Sequence, residues 1–440
     1  ISKAFSASGI QDEQQLVADI TMNVISQFAT PTITVEEIQD LVEKSLMKVR
    51  PEVAKKYIIY REWRNTERDK KTQMKQVMDG IVAIDKNDVN LSNANMSSHT
   101  PAGQMMTFAS EVTKDYTYKY LLPKRFAEAH QLGDVHIHDL DYYPTKTTTC
   151  IQYDMDDLFE RGFRTKNGSI RTPQSIQSYA TLATIIFQTN QNEQHGGQSI
   201  PAFDHFMAPG VLKTFRRHLT DMTLFLCGVR GGVTLERAEL KALVAEHVPT
   251  IEPCETAVGR LFAALRQSGV EVADEDIRRI WRQAYDTTRR ETHQAMEGFI
   301  HNLNTMHSRG GNQVVFSSVN YGTDTSPEGR MVIRNLLLAT DAGLGNGETP
   351  IFPVQIFKVK EGVNYNSQDP NYDLFQLAIR TSAKRLFPNF SFLDAPFNLQ
   401  YYKEGDYNSE VAYMGCRTRV MGNVHDPERE ITCGRGNLSF

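Results

Sequence analysis

"QVVFSSVNYG", residues 313–322, gathers β-branched and aromatic side chains into a run without charge that stops at Gly322. Such a composition fits a pleated strand. Just upstream, residues 273–302 are rich in Arg, Gln and Ala, with aliphatic residues three and four apart, the spacing of one helical face. The same alternation extends in both directions. Strand-like runs are GDVHIHD (133–139), TKTTTCIQYD (145–154), IFPVQIFKV (351–359), SFLDAPF (391–397), EVAYMG (410–415) and ITCGRGNLSF (431–440). Helix-like segments cover 172–190, 235–248 and 257–267. Strands separated by long helical crossovers predict an α/β barrel or wound sheet from about residue 76 onward.

The first 65 or so residues read differently, as three short amphipathic helices. Leu16, Ile20, Val24 and Phe28 recur at i+4, Thr34 can cap a helix carrying Ile38, Leu41, Val42 and Leu46, and a third follows Pro51 with Val53, Tyr57 and Arg61. The charged stretch REWRNTERDKKTQMK, 61–75, loses its apolar period early and is the expected linker. The chain starts without Met and ends on an apolar run, so both ends read as cut.

A formal charge of −5 gives no broad basic field of the kind that nucleic acid or an anionic membrane attracts. Apolar runs are short and charge-broken, so none spans a bilayer, and the first residues lack the apolar core of a secretory signal. A cytoplasmic location is expected. Five cysteines, Cys150, Cys227, Cys254, Cys416 and Cys433, carry no CxxC spacing, which argues against a disulfide framework or a thiolate metal site in this stretch.

Cys416 sits in "AYMGCRTRV", 412–420, where Gly415 permits a bend and Arg417 and Arg419 can stabilise a thiolate or a phosphate; a partly buried structural cysteine is the alternative. Cys150 ends a threonine run that favours an extended strand. It too reads either as a structural residue or as the second thiol of a pair facing one cavity. His136 and His138 would share a strand face, as pocket-lining residues or as metal ligands, although a third ligand of suitable spacing is missing. NQNEQHGGQSIP, 190–201, combines amides with His195, Gly196 and Gly197, and could approach a phosphate or substrate through its backbone or simply turn into a strand. SRGGNQ, 308–313, reads the same two ways.

Taken together, the blocks "HIHDLDYYPT…TTTC", "NQNEQHGGQSIP", "HNLNTMHSR", "FSSVNYGTDTSPEGR", "GNGETPIFP", "RLFPNFSF", "YMGCRTRV" and "CGRGNLSF" closely resemble, in order, the anaerobic (class III) ribonucleoside-triphosphate reductases. The N-terminal helices, ending in "KKYIIYREWR", resemble the later part of an ATP-cone. The resemblance implies a partial ATP-cone over 1–66 without its opening strands, a linker at 67–75, and a catalytic domain over 76–440. It also implies a ten-stranded α/β barrel of the glycyl-radical type, working as a homodimer on ribonucleoside triphosphates. Cys416 falls on the family's finger-loop thiyl radical, Cys150 on the opposing thiol, Met414 on a thioether of the formate-using members, and Asn437 on an amide that holds the ribose hydroxyls. His136, His138, His195, Gly196, Gly197 and Arg417 are expected as substrate contacts.

The same resemblance implies formate as co-substrate, ATP and deoxynucleotide effectors, and a radical-SAM iron-sulfur activating enzyme as partner. Effectors are expected along the 172–190 helix. The family's glycyl-radical loop and zinc site lie C-terminal to this segment, so no metal site is expected within it, and the chain by itself is expected to be inactive. Two departures stand out: Lys146 replaces a common glycine, and "RGGNQVVF" replaces "RAGAQVPF". The competing readings are a silent nucleotide-sensing or dimerisation scaffold and another glycyl-radical enzyme. No nucleic-acid or membrane partner is expected.

Overall fold

The computed structural model describes residues 1–10, 13–28, 32–69, 73–83, 92–93, 96–97, 100–147, 150–165, 168–230, 236–270, 272–308, 313–399, 402–414, 420–421 and 438–439. The chain divides into two compact units, Ile1–Asp88 with Met106–Lys124, and Val89–Met105 with Arg125–Phe440.

The first unit is helical. Its leading helices are α1 (Ser2–Ala7), α2 (Gln14–Ser26), α3 (Val35–Val49) and α4 (Pro51–Asp69). Thr34 caps α3 as expected: its side chain accepts from the Glu37 N–H while Glu37 reaches back to the Thr34 N–H. Phe5, Ile20, Val24, Val42, Leu46, Val53 and Ala54 form a small core of its own. The expected linker is largely helix, since α4 runs to Asp69 and another helix spans Gln73–Val82. Arg, Glu, Lys and Gln hold a helix without an apolar stripe because they lose little rotamer freedom in it. Arg61 adds charge-assisted hydrogen bonds from α4 to Glu36, Asp40 and Glu43.

The second unit is built on a five-stranded sheet: β1 (Ile151–Gln152), β2 (Gln198–Ile200), β3 (Ser317–Tyr321), β4 (Val354–Val359) and β5 (Asn389–Phe392). The strands lie side by side in chain order and every neighbouring pair is parallel. Crossovers supply the helices α5 (Ile176–Glu193), α6 (Phe203–Arg230), α7 (Asp274–Thr305), α8 (Pro327–Ala342) and α9 (Tyr372–Arg385). These helices pack on one another as a layer, α7 against α5, α6 and α8, and α8 against α9. Ile200, Val319, Tyr321, Phe357 and Val359 join that layer in one core with Phe203, Phe299 and Trp281. Each such fully buried side chain contributes roughly 1.5–3 kcal/mol.

The alternating α/β texture is therefore present, and the described sheet has five strands where ten were expected. Several expected strands differ. Residues 133–139 form turns, because Asp139 takes φ 54° and the Ile137 N–H goes to His130 Nδ1. Among the described residues of 145–154, Ile151–Gln152 is the paired strand; Tyr143–Thr145 is a 3-10 turn, and Lys146 ends it in the left-handed region. The 391–397 run leaves the sheet at Phe392 and starts a helical turn at Pro396. Residues 410–414 are not a strand. Leu438–Ser439 pairs with Val420–Met421, and the rest of 431–440 lies outside the described residues. Among the described residues no helix is long and apolar enough to cross a membrane.

Candidate functional site

Strand alternation gives the sheet two unlike faces. Residues 198, 200, 317, 319, 321, 355, 357 and 359 turn toward the helices, and the polar ones among them are paired there. Gln198 accepts from Tyr153 and Asn190, and Gln355 accepts from the Tyr321 hydroxyl at 2.8 Å while donating to Thr340 at 2.8 Å. The opposite face carries Gln152, Ser199, Ser318, Asn320 and Lys358, all buried, together with Asn389 and Ser391. A polar surface away from water marks a place built to meet polar groups.

Ser199 and Asn320 bind a later segment to this face. Asn320 donates to the Tyr413 carbonyl at 2.8 Å and accepts from the Tyr413 N–H at 2.9 Å, imitating one rung of a sheet. Ser199 donates to the same carbonyl at 2.9 Å. Lower down, Glu410 accepts from Lys358 Nζ and Thr323 Oγ1, each at 2.8 Å, and the Lys358 and Glu410 side chains are 1% and 7% exposed. Residues 410–414 are thereby held over the polar face, and Met414 is fully buried.

Cys150, half-buried, immediately precedes β1, which is registered by the Ile151 N–H donating to the Gly197 carbonyl at 3.1 Å. Alternation puts Cys150 on the Gln152 side, the polar face that also carries Tyr413. Cys416, Arg417 and Asn437 lie outside the described residues, as does Cys433. Cys254 is an exposed helix cap whose Sγ accepts from the Ala257 N–H.

His195 sits on the turn before β2. Its ring stacks on Tyr142 with centroids 3.7 Å apart, its Nε2 is 3.2 Å from Asp139, and its N–H donates to Thr147 Oγ1. Asp139 also meets His138 Nδ1 at 2.7 Å. Burial pushes the Asp139 carboxyl up, and the contacts with His195 and His138 outweigh it, leaving Asp139 below its ordinary value. His195 thus ties the segment leading to Cys150 to the turn holding Gly196 and Gly197. His136 and His138 are exposed, edge-on at 5.8 Å, and on no common strand face. Among the described residues no group of three or more His, Cys, Asp or Glu could hold a metal ion.

At the C-terminal ends of β2 and β3, Asp204, fully buried, accepts from the Gly322 and Asp324 N–H groups at 2.8 and 3.0 Å. Burial raises Asp324 above its ordinary value against the pull of His205, which stacks on Tyr407 at 4.2 Å. Elsewhere, a cavity of about 330 Å³ beside the start of α5 is lined by Gln174, Lys213, Arg216, Arg217, Arg237 and Lys241. Burial lowers the Arg216 pKa, with Glu328 opposing.

Sequence reasoning passed over Ser199, Asn320, Lys358 and Glu410. One signal was present: Lys358 is the lone charge inside the strand VQIFKV, 354–359.

A family model described as anaerobic ribonucleoside-triphosphate reductase matches residues 92–440, and one described as ATP cone domain matches residues 1–66. The anaerobic ribonucleoside-triphosphate reductase of Haemophilus influenzae is 29% identical over 444 residues, covering 100% of this chain and 54% of that protein. Its namesake in Salmonella typhimurium is 27% identical over 442 residues, with the same 100% and 54% coverage. The chain spans about half the length of these curated relatives. The anaerobic ribonucleotide reductase from Thermotoga maritima, solved with citrate in its active site, is 13% identical, covers 75% of this chain and 53% of its own, and superposes with a TM-score of 0.43, which adds no weight. The family match and the two relatives extend over the sheet, the polar face and the segment pinned to it, and on them the chain belongs to the anaerobic ribonucleoside-triphosphate reductase family.

Proposed function

We propose that the protein reduces ribonucleoside triphosphates to deoxyribonucleotides by thiyl-radical chemistry on the polar face of the sheet. The observation that carries this reading is the pinning of residues 410–414 to the polar face by the Tyr413 hydrogen bonds, a face to which the alternation of β1, extended back one residue, also assigns Cys150. Two residues beyond Met414 comes Cys416, which takes the 3′ hydrogen of the ribose as a thiyl radical. A glycyl radical on a segment beyond this chain supplies that radical when present.

With the 3′ hydrogen gone, the 2′ hydroxyl leaves as water. Cys150 delivers a hydrogen atom to C2′, leaving a sulfur radical shared with Met414; formate is oxidised to carbon dioxide, supplying two electrons and one hydrogen overall, and a proton taken up from solvent completes the departing water. Cys416 then returns hydrogen to C3′. Asn437 holds the ribose hydroxyls as a neutral amide, which orients without adding charge. Burial of this face favours such chemistry, since a radical sulfur needs shielding from water.

A barrel of ten strands is part of the proposal. It is supported by five parallel strands in unbroken chain order, because a sheet wound in one direction closes on itself, whereas a doubly wound sheet reverses at a switch point. The basic cavity beside α5 is the proposed seat of an effector triphosphate. Lys213, Arg216, Arg217, Arg237 and Lys241 converge there, and guanidinium groups suit phosphate oxygens. ATP regulation through residues 1–66, a homodimer and a radical-SAM activating enzyme complete the reading.

The test is nucleotide reduction by the full-length protein, activated without oxygen. Wild type is expected to form deoxyribonucleotide, with Cys416→Ala and Cys150→Ala abolishing it. Turnover by Cys416→Ala would overturn the assignment, and effector binding by an inactive wild type would favour a nucleotide-sensing scaffold.

A further inference from the structure

Among the described residues, three side-chain polar groups of the five strands, Gln152 Nε2, Asn389 Nδ2 and Ser391 Oγ, are buried without a hydrogen-bond partner. All three fall on the polar face. Gln152 shares it with Cys150 by alternation, and the registers Ile356 opposite Asn320 and Lys358 opposite Ser391 carry it across to β5. The helix face, equally buried, has its Gln198 and Gln355 amides and its Tyr321 hydroxyl paired. An orphaned buried donor costs stability, so three on one face and none on the other is an imbalance that calls for a partner.

Gln152 is the most telling of the three. It is 5% exposed, it lies two residues beyond Cys150 on the same face, and its free group is a neutral N–H donor. Resting on the proposed function, we infer that Gln152 is a substrate-positioning residue, its carboxamide N–H donating to a hydroxyl oxygen of the ribose held beside Cys150. A neutral donor suits an uncharged acceptor, and Lys358, the one cation of this face among the described strand residues, is committed to Glu410. The missing partner in the ligand-free protein is then stability withheld for the ligand, the trade expected where a site is prepared in advance.

The experiment compares wild type with Gln152→Met, an apolar residue of similar length, in the full-length activated protein. Two readings are taken: the Tm without ligand, and KM for CTP under saturating effector alongside KM for formate. The inference predicts a Tm unchanged or raised, because the variant removes an unpaired buried donor. It also predicts a KM for CTP raised about tenfold, with kcat changed far less and the formate KM unmoved. A lowered Tm with an unchanged CTP KM would make Gln152 structural and overturn the inference, as would a rise confined to formate. Both outcomes leave the proposed function standing if wild type turns over. A wild type that reduces no ribonucleotide overturns that function and this inference together.

Discussion

Lys358 is a charge at the centre of an apolar strand, and its placement makes sense only with Glu410 above it. The two are 2.8 Å apart and almost fully enclosed, with Thr323 donating to the same carboxylate oxygen. A buried pair of this kind contributes little net stability against an apolar replacement, yet losing one partner strands the other. Lys358→Met should therefore destabilise the protein by about 3–5 kcal/mol, and Lys358→Met with Glu410→Leu should recover most of it. Denaturant midpoints of the two variants check this; equal losses would mean the pair does not anchor residues 410–414. Asn320 acts at the same scale by a different means, since one side-chain amide supplies both halves of a backbone rung to Tyr413.

Among the elements, α5 and α6 pack directly against each other. Gly210 of α6 lies against Tyr179 of α5, and a Cβ there would come within 2.9 Å of the ring. Tyr179 is 3% exposed, so the ring has little room to yield. Gly210→Ala should cost about 1–3 kcal/mol by overpacking. Thermal unfolding of that variant would contradict the packing account if Tm were unchanged.

The same helix explains what could be read in advance. Caps were legible: Thr34 and the aliphatic spacing of α7 behave as their chemistry demands. In α6, Pro209 and Gly210 interrupt the pattern, and tertiary burial on several sides overrides both breakers. α8 reads as an apolar run because Met331, Val332, Ile333, Leu336 and Leu337 are all buried. The 133–139 stretch misled by composition alone, since among the described residues its alternation pairs with no strand and a left-handed Asp139 bends it away. Near the candidate site, the extended strand expected around Cys150 is present only as Ile151–Gln152, because the chain before it turns at Tyr143–Thr145. Ser199, Asn320 and Glu410 were not legible, because their roles depend on contacts between residues 52 to 214 apart in sequence.

On the scale of the whole molecule, the second unit places an apolar, helix-covered face and a buried polar face on the same five strands. Parallel sheets of this kind are normally covered on both sides and read as continuous apolar runs. Here the second side is polar and is met by a segment leading to a cysteine, an arrangement that stability alone does not call for. The function proposed above reduces to one spatial requirement: the sulfurs of Cys150 and Cys416 must meet across a sugar.

A bifunctional thiol reagent spanning about a sugar's width, applied without oxygen to the full-length protein and followed by peptide mapping, tests that requirement most directly. The predicted result is a bridged pair of peptides containing Cys150 and Cys416, lost in either Ser variant and suppressed by ribonucleoside triphosphate. Single modification at each thiol with no bridge between them, with or without nucleotide, would contradict it.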